Sequence, residues 1–254
     1  MLAFGVDIGG TGIKAGTVDL DGGTLVGERM RVPTPHGGAP DAVCAVVRDL
    51  VTQAGWAGPV GVAFPAVVQH GIALTAANVD HRWIGMDVAA TVSEATGTPT
   101  AVLNDADAAG LAEVRYGAGA GVAGVVLTLT LGTGIGSGLF TEGVLVPNTE
   151  FGHLEIDGHD AETRASEMAR ERDGLSWAEW AARLERYLRR VDALLWPDLI
   201  VLGGGAAKKS DKWLSLLQVR PTLAVATLRN AAGIVGAAMA SVEAPIGLRH
   251  DSTG

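Results

Sequence analysis

Gly10-Thr11-Gly12-Ile13-Lys14-Ala15-Gly16 returns 122 residues later as Gly132-Thr133-Gly134-Ile135-Gly136-Ser137-Gly138, identical at five of seven positions. Each copy sits between two stretches that read as strands: LAFGVDI and IKAGTVDL around the first, VVLTLTL and the run from Ile135 around the second. A glycine turn between two such runs reads as a β-hairpin. Two hairpins of one kind read as two similar halves, each presenting a glycine turn. Halves facing each other make a cleft, so the chain is expected to be α/β with two domains.

Working outward, Asp21-Gly22-Gly23 closes a second hairpin onto TLVGERM, making three strands in the first 31 residues. Periodicity predicts helices over 39–54, 85–96, 105–116, 161–172, 176–195 and 230–242. Strands are expected over 59–64, 100–104, 125–131, a hairpin running to Val146, and 198–205. The domains are read as 1–104, which the helix 230–242 joins, and 105–229; 245–254 reads as a disordered tail.

Composition narrows the function. The 254 residues are 48% hydrophobic, enough for real cores, and the 36 glycines imply many tight turns. A net charge of −9 argues against nucleic-acid partners, while leaving room for a polyanion held by a local basic patch. The single cysteine, Cys44, excludes an internal disulfide and a cysteine-based zinc cluster. Asp7 interrupts the first apolar run, and no stretch reaches the roughly 18 apolar residues of a membrane span, so a cytoplasmic protein is expected.

Three glycine-rich turns carry phosphate chemistry. In Asp7-Ile8-Gly9-Gly10-Thr11-Gly12-Ile13-Lys14, the glycines let backbone N–H groups approach phosphate oxygens, and Thr11 adds a hydroxyl. Asp7 could hold a hydrated Mg²⁺, and Lys14 brings a mobile charge. The bland alternative is a plain hairpin with a surface lysine. The second copy offers Gly132, Thr133 and Gly134 with Ser137, and no lysine. The third turn, Gly203-Gly204-Gly205, leaves a strand for a helix expected to start near Ala206, with Lys208, Lys209 and Lys212 following. Those lysines read equally as a solvated cluster. Gly119 to Gly124 precedes a strand, so it lacks the dinucleotide context, and Gly203 to Ser210 lacks the glycine that a P-loop lysine needs.

Asn104-Asp105 ends a strand and opens a helix. A carboxylate there can take the proton of an attacking hydroxyl, and the helix N-terminus would keep it ionised. It would serve equally as a helix cap. Glu150-Phe151-Gly152-His153-Leu154-Glu155 packs two carboxylates and an imidazole into six residues, a fitting grip on a polyol.

Asp7–Lys14, Asn104-Asp105, Leu131–Gly138, Glu150–His153 and Leu202–Gly205, in this order, resemble the ROK family (repressor, open reading frame, kinase) of sugar kinases over roughly residues 3–242. Within it, Val144–Glu150, Gly158–Ser166 and Ala77–Asp80 before Trp83-Ile84-Gly85 look like its polyphosphate-using glucokinases. The resemblance implies an actin-like ATPase, ribonuclease H-like two-domain fold. It implies phosphoryl transfer from inorganic polyphosphate to the 6-hydroxyl of glucose, giving glucose 6-phosphate. The alternatives are an ATP-dependent glucokinase, a mannose or N-acetyl-sugar kinase and, remotely, a sugar-responsive repressor. By position, Asp105 would be the base; Asn104, Glu150, His153 and Glu162 would bond the sugar, with Asn78 and Ala66 beside it. Asp7, Gly9, Gly10, Thr11, Gly12, Lys14, Gly132, Thr133, Gly134, Gly203, Gly204, Lys208 and Lys209 would face the donor, with Mg²⁺ near Asp7. Two departures stand out. Residues 156–164 hold none of the zinc-loop cysteines common in the family, so no zinc is expected, and the usual Pro-Gly is Pro65-Ala66. A homodimer is implied by the resemblance alone.

Overall fold

The computed structural model describes residues 1–242 of the chain; the tail expectation for 245–254 lies outside the described residues. The chain divides into two compact units, Met1–Ala112 together with the chain from Asn230, and Glu113–Arg229. The first holds β1 (Leu2–Ile8), β2 (Ile13–Asp19), β3 (Thr24–Val32), α1 (Pro40–Gln53), β4 (Val60–Phe64), β5 (Val68–Gln69), β6 (Ile72–Ala73), α2 (Val88–Thr96), β7 (Thr100–Asn104) and the start of α3 (Asp105–Tyr116). The second holds β8 (Val125–Leu131), β9 (Ile135–Thr141), β10 (Val144–Val146), β11 (Glu155–Ile156), β12 (His159–Asp160), α4 (Glu162–Ala165), α5 (Glu167–Arg172), α6 (Trp177–Leu195), β13 (Leu199–Gly204) and β14 (Thr222–Val225). The last helix, α7 (Ala232–Val242), returns to the first unit.

Both units carry a five-stranded sheet built to one plan. The orders are β3-β2-β1-β4-β7 and β10-β9-β8-β13-β14. In each, three antiparallel strands lead into two parallel ones. The heptad repeat of the sequence is the turn of the leading hairpin in each sheet. The copies differ by one residue, because Ile8 pairs with Ile13 across Gly9–Gly12, whereas Leu131 pairs with Ile135 across Gly132–Gly134. The partner of Lys14 is therefore Asp7, while Gly136, its counterpart in the repeat, faces Thr130.

Helix α7 is apolar on every side, with Ile234 to Ala240 all buried. It lies against the first sheet with almost no side chain between. A Cβ at Gly5 would collide with the Ile234 carbonyl, and one at Gly61 with the Ala237 carbonyl. On another face of the helix, a Cβ at Gly236 would strike the Ala108 carbonyl of α3. The rest of that core gathers Phe4, Phe64 and Trp83, the latter two edge to face at 4.9 Å, and Trp83 Nε1 donates to the Gly38 carbonyl at 2.9 Å. Cys44 is buried in α1, and burial pushes its thiol up to about 11.

In the second unit α6 starts with a capping box between Ser176 and Glu179 and buries Trp180, Leu184, Tyr187, Leu188 and Val191. Trp177, Trp180 and Trp213 stack edge to face, with centroids 5.6 and 5.3 Å apart. Glu113 is 3% exposed and accepts from the backbone N–H groups of Ala118, Thr227 and Leu228, so a buried carboxylate pins the loop after β14 to α3. The helix expected over 161–172 is cut in two at Ser166, whose hydroxyl caps α5 by accepting from Ala169 N at 3.1 Å. The helix expected from Ala206 is a 3₁₀ run, Ala206–Lys212, interrupted by Lys209. No helix among the described residues is long and apolar enough to cross a membrane.

Gly61→Ala forces a methyl group into the Ala237 carbonyl, backbone against backbone, and should cost about 3 kcal/mol of unfolding free energy, measured by urea titration. Gly55→Ala, where a Cβ meets nothing within 4 Å but φ is +61°, should cost only about 1 kcal/mol.

Candidate active site

Asp7 and Lys14 face each other across the β1–β2 ladder, and Lys14 Nζ donates to Asp7 Oδ2 at 2.7 Å. Both are largely covered, at 14% and 26% exposure. On α7, Gly233 leaves the space that the Asp7 carboxyl fills. The turn above them is closed by Gly9 N donating to the Gly12 carbonyl at 3.1 Å, and the Thr34 hydroxyl donates to the Gly9 carbonyl. Gly10 packs on Asn78, and its N–H-bearing backbone and Thr11 stay exposed. The Arg31 guanidinium lies against Gly12, and Arg31 is opposite Lys14 in the β2–β3 register. Two cations thus flank this turn. Sequence reasoning missed Arg31; counting register from the Asp21-Gly22-Gly23 turn puts Arg29 opposite Lys14, and the irregularity between Ala15 and Thr17 shifts the pairing to Arg31.

Asn104 ends β7 and acts as the cap of α3. Its Oδ1 accepts from Ala106 N at 2.8 Å and Asp107 N at 3.1 Å, and its Nδ2 donates to the Ala66 carbonyl at 2.9 Å. This answers the alternative raised for Asp105: the capping work falls on Asn104. Asp105 is the first helical residue, half-buried, with its Oδ1 accepting from Ala106 N at 2.9 Å. Ala66, expected beside the sugar, is 4% exposed and holds Asn104 through its carbonyl.

In the second unit the Gly132–Gly134 turn already has an anion in it. Glu162 Oε2 accepts from Ile135 N at 3.0 Å, and a Cβ on Gly134 would overlap that carboxylate. Glu150 and His153 bracket a 3₁₀ turn, Phe151–His153, with His153 Nε2 3.8 Å from Glu150 Oε2. That turn is stitched to β9. The Ser137 hydroxyl donates to the Thr149 carbonyl at 2.6 Å and accepts from Phe151 N at 3.0 Å, and Gly152 sits on the Ile135 carbonyl. Ser137, expected as a phosphate donor, is 2% exposed and committed to this joint instead.

His153 Nδ1 donates to Asp160 Oδ2 at 2.8 Å. The hydrogen bond to Asp160 raises the imidazole above its ordinary value, partial burial opposes, and Glu162 and Glu150 add to the rise. Burial raises the Glu150 carboxyl, reinforced by Glu162 and opposed by His153. His153, Asp160 and Glu162 bring their ligand atoms within 4.8 Å of one another. The sequence did not single out Asp160.

The third glycine stretch lies in the strand expected over 198–205: β13 runs through Gly203 and ends at Gly204, and the two glycines pair with Thr130 and Leu131. Gly204 has φ +82° and lies so close to Leu131 that a Cβ would strike its backbone. Glu167 packs against Gly205, raised by burial and lowered in turn by Lys208 and Lys209, both exposed.

Residues 3–170 match the ROK family. The chain belongs to the ROK family. Its fold is the actin-like ATPase fold of the ROK sugar kinases. This ROK chain is 50% identical over 240 residues to a polyphosphate glucokinase of Mycobacterium tuberculosis, covering 94% of the chain and 91% of the relative. It is 55% identical to an inorganic polyphosphate/ATP-glucomannokinase from Arthrobacter sp. strain KM, whose crystal structure superposes with a TM-score of 0.88 and coverage of 94% and 97%. A ROK glucokinase of Streptomyces griseus, solved with glucose and AMPPNP, is 25% identical with a TM-score of 0.81, covering 95% and 99%.

Because Asp160 favours the charged imidazole, the pair stabilises the fold fully below the ordinary histidine value of 6.5 and loses that contribution as pH rises through the raised value. Asp160→Asn should therefore lower the His153 pKa in an NMR titration and flatten the stability change across that window.

Proposed function

We propose that this ROK protein is a polyphosphate–glucose phosphotransferase, moving the terminal phosphoryl group of inorganic polyphosphate to the 6-hydroxyl of glucose. The observation that carries this reading is 50% identity to a polyphosphate glucokinase along nearly the whole chain. A second reading, use of ATP beside polyphosphate and of mannose beside glucose, is favoured by the Arthrobacter neighbour, whose name carries both donors and both sugars. On the family likeness, the working form is a cytoplasmic homodimer.

The roles follow from what each unit presents. Asp105 takes the 6-hydroxyl proton as that oxygen attacks the terminal phosphorus; the P–O bond to the next phosphate breaks, and the donor leaves one unit shorter. Asn104 spends its carboxamide on the α3 N-terminus and the Ala66 carbonyl, which holds Asp105 in place. Glu150, His153 and Glu162 take the ring hydroxyls. With Nδ1 engaged by Asp160, His153 offers Nε2 to the sugar. The exposed Gly10 and Thr11, with Lys14 and Arg31 at their flanks, bind donor phosphates. The carboxylates Glu162 and Glu167 beside Gly134 and Gly205 oppose an anion, so at these turns cations such as Lys208 and Lys209 must offset them.

A hydrated Mg²⁺ fits Asp7, whose carboxyl keeps a solvent-facing edge and meets Lys14 through Oδ2. Asp7 would hold the ion through water, and the ion would neutralise charge on the donor phosphates.

Glucose 6-phosphate formation should be seen with polyphosphate as sole donor; product with ATP and none with polyphosphate would overturn the reading. Asp105→Asn should lower kcat about 10²- to 10⁴-fold with glucose binding retained in calorimetry. Turnover at the wild-type rate would remove Asp105 from the base role.

A further inference from the structure

The second unit holds a cavity of about 300 Å³ between the β11–β12 hairpin, α4 and α6. Its polar walls are Asp157, His159, Arg164, Arg183, Arg186 and Tyr187. Glu162 is not among them, although it shares α4 with Arg164. Three guanidinium groups against one carboxylate make a cationic pocket in a chain whose net charge is −9.

Two of the arginines are held in ion pairs, one with an acid of the lining and one with an acid outside it. Arg186 pairs with Asp157 at 2.6 Å, and Arg183 with Asp173 at 2.6 Å, outside the pocket lining. Arg164 donates to His159 Nε2 at 2.7 Å. Arginine cannot accept, so this contact makes His159 the acceptor and uses one of the five N–H donors of Arg164. No carboxylate is recorded on Arg164 among the described residues. Tyr187 belongs to the lining and is 1% exposed, but its hydroxyl is closed to solvent and feels the Glu162 carboxylate, so the arginines are what the cavity offers a guest. The excess of guanidinium over carboxylate in the lining disfavours a cation, and an apolar guest would leave the guanidinium forks unmatched. An anion with several oxygens in fork geometry matches them, and phosphate is the anion of that kind best suited to arginine.

We propose that this pocket is a phosphate site separate from the glycine turns, binding the phosphoryl group of a small anion through Arg164 and Arg186. Three sources share that chemistry: inorganic phosphate, a short polyphosphate and a sugar phosphate. The site does not depend on the kinase reading, and its test needs no turnover.

The test is site-resolved arginine modification by phenylglyoxal, mapped by peptide mass spectrometry, with inorganic phosphate, tripolyphosphate or glucose 6-phosphate present. Slowed modification of Arg164 and Arg186, with Arg220 unchanged, is expected. Protection by all three probes assigns the site to free phosphate, by tripolyphosphate alone to the polyphosphate chain, and by glucose 6-phosphate alone to the sugar phosphate. Arg164→Gln should weaken the protecting anion about tenfold or more, the loss of one charge-assisted hydrogen bond. Protection by none of the probes, or protection confined to Arg31, would overturn the proposal.

Discussion

The first unit depends on one close approach, that of α7 to the sheet. Helix and strands normally stand apart by the depth of their side chains. Here Gly5 and Gly61 on β1 and β4 remove those side chains, and the helix backbone settles against the strands. Gly236 then lets α3 settle against α7, at Ala108. The consequence is chemical as well as mechanical. Gly233 makes the hollow that the Asp7 carboxyl occupies, and the seat of α3 sets where its N-terminus, with Asn104 and Asp105, lies. A helix built from alanine and glycine can do this because small residues lose little rotamer freedom and let backbones meet.

The two sheets show how one plan is given two chemistries. Both open with a glycine hairpin, yet the residues facing each other at equivalent rungs are Asp7 with Lys14 in one and Thr130 with Gly136 in the other. The first turn is flanked by cations, while the second receives a carboxylate from α4 on the N–H of Ile135. Backbone geometry alone would suit either turn to an anion; the neighbouring side chains decide which one stays open.

Buried or half-buried polar side chains join the segments around these sites. Ser137 ties the Glu150–His153 turn to β9, Glu113 pins the loop at Thr227 and Leu228, and Asp160 orients His153. Ser137 and Glu113 each satisfy several donors or acceptors that burial would otherwise leave unpaired, while Asp160 bonds an exposed imidazole. None reaches far along the chain in a recognisable spacing. Ser137 answers residues twelve positions away and Glu113 residues more than a hundred away.

Much of the architecture was legible beforehand, because it rests on local rules. Hydrophobic period and turn glycines marked the long strands and helices but not the two-residue strands β5, β6, β11 and β12 or the edge strand β14, and the repeated heptad marked two hairpins that the structure builds into matching sheets. Local rules also misled where two local preferences competed. Ser166 could continue a helix or cap one, and it caps. The sequence by itself determined the fold class, the glycine turns, the acidic residue at the start of α3 and the acid–imidazole cluster at 150–155. Only the structure decided that Asn104 rather than Asp105 caps α3, that Arg31 flanks the first turn, that Glu162 fills the second, and that three arginines share one cavity. The cap turns on which of two adjacent side chains reaches the helix N–H groups, and the other contacts join residues roughly twenty positions or more apart that packing brings together after the local pattern has been spent.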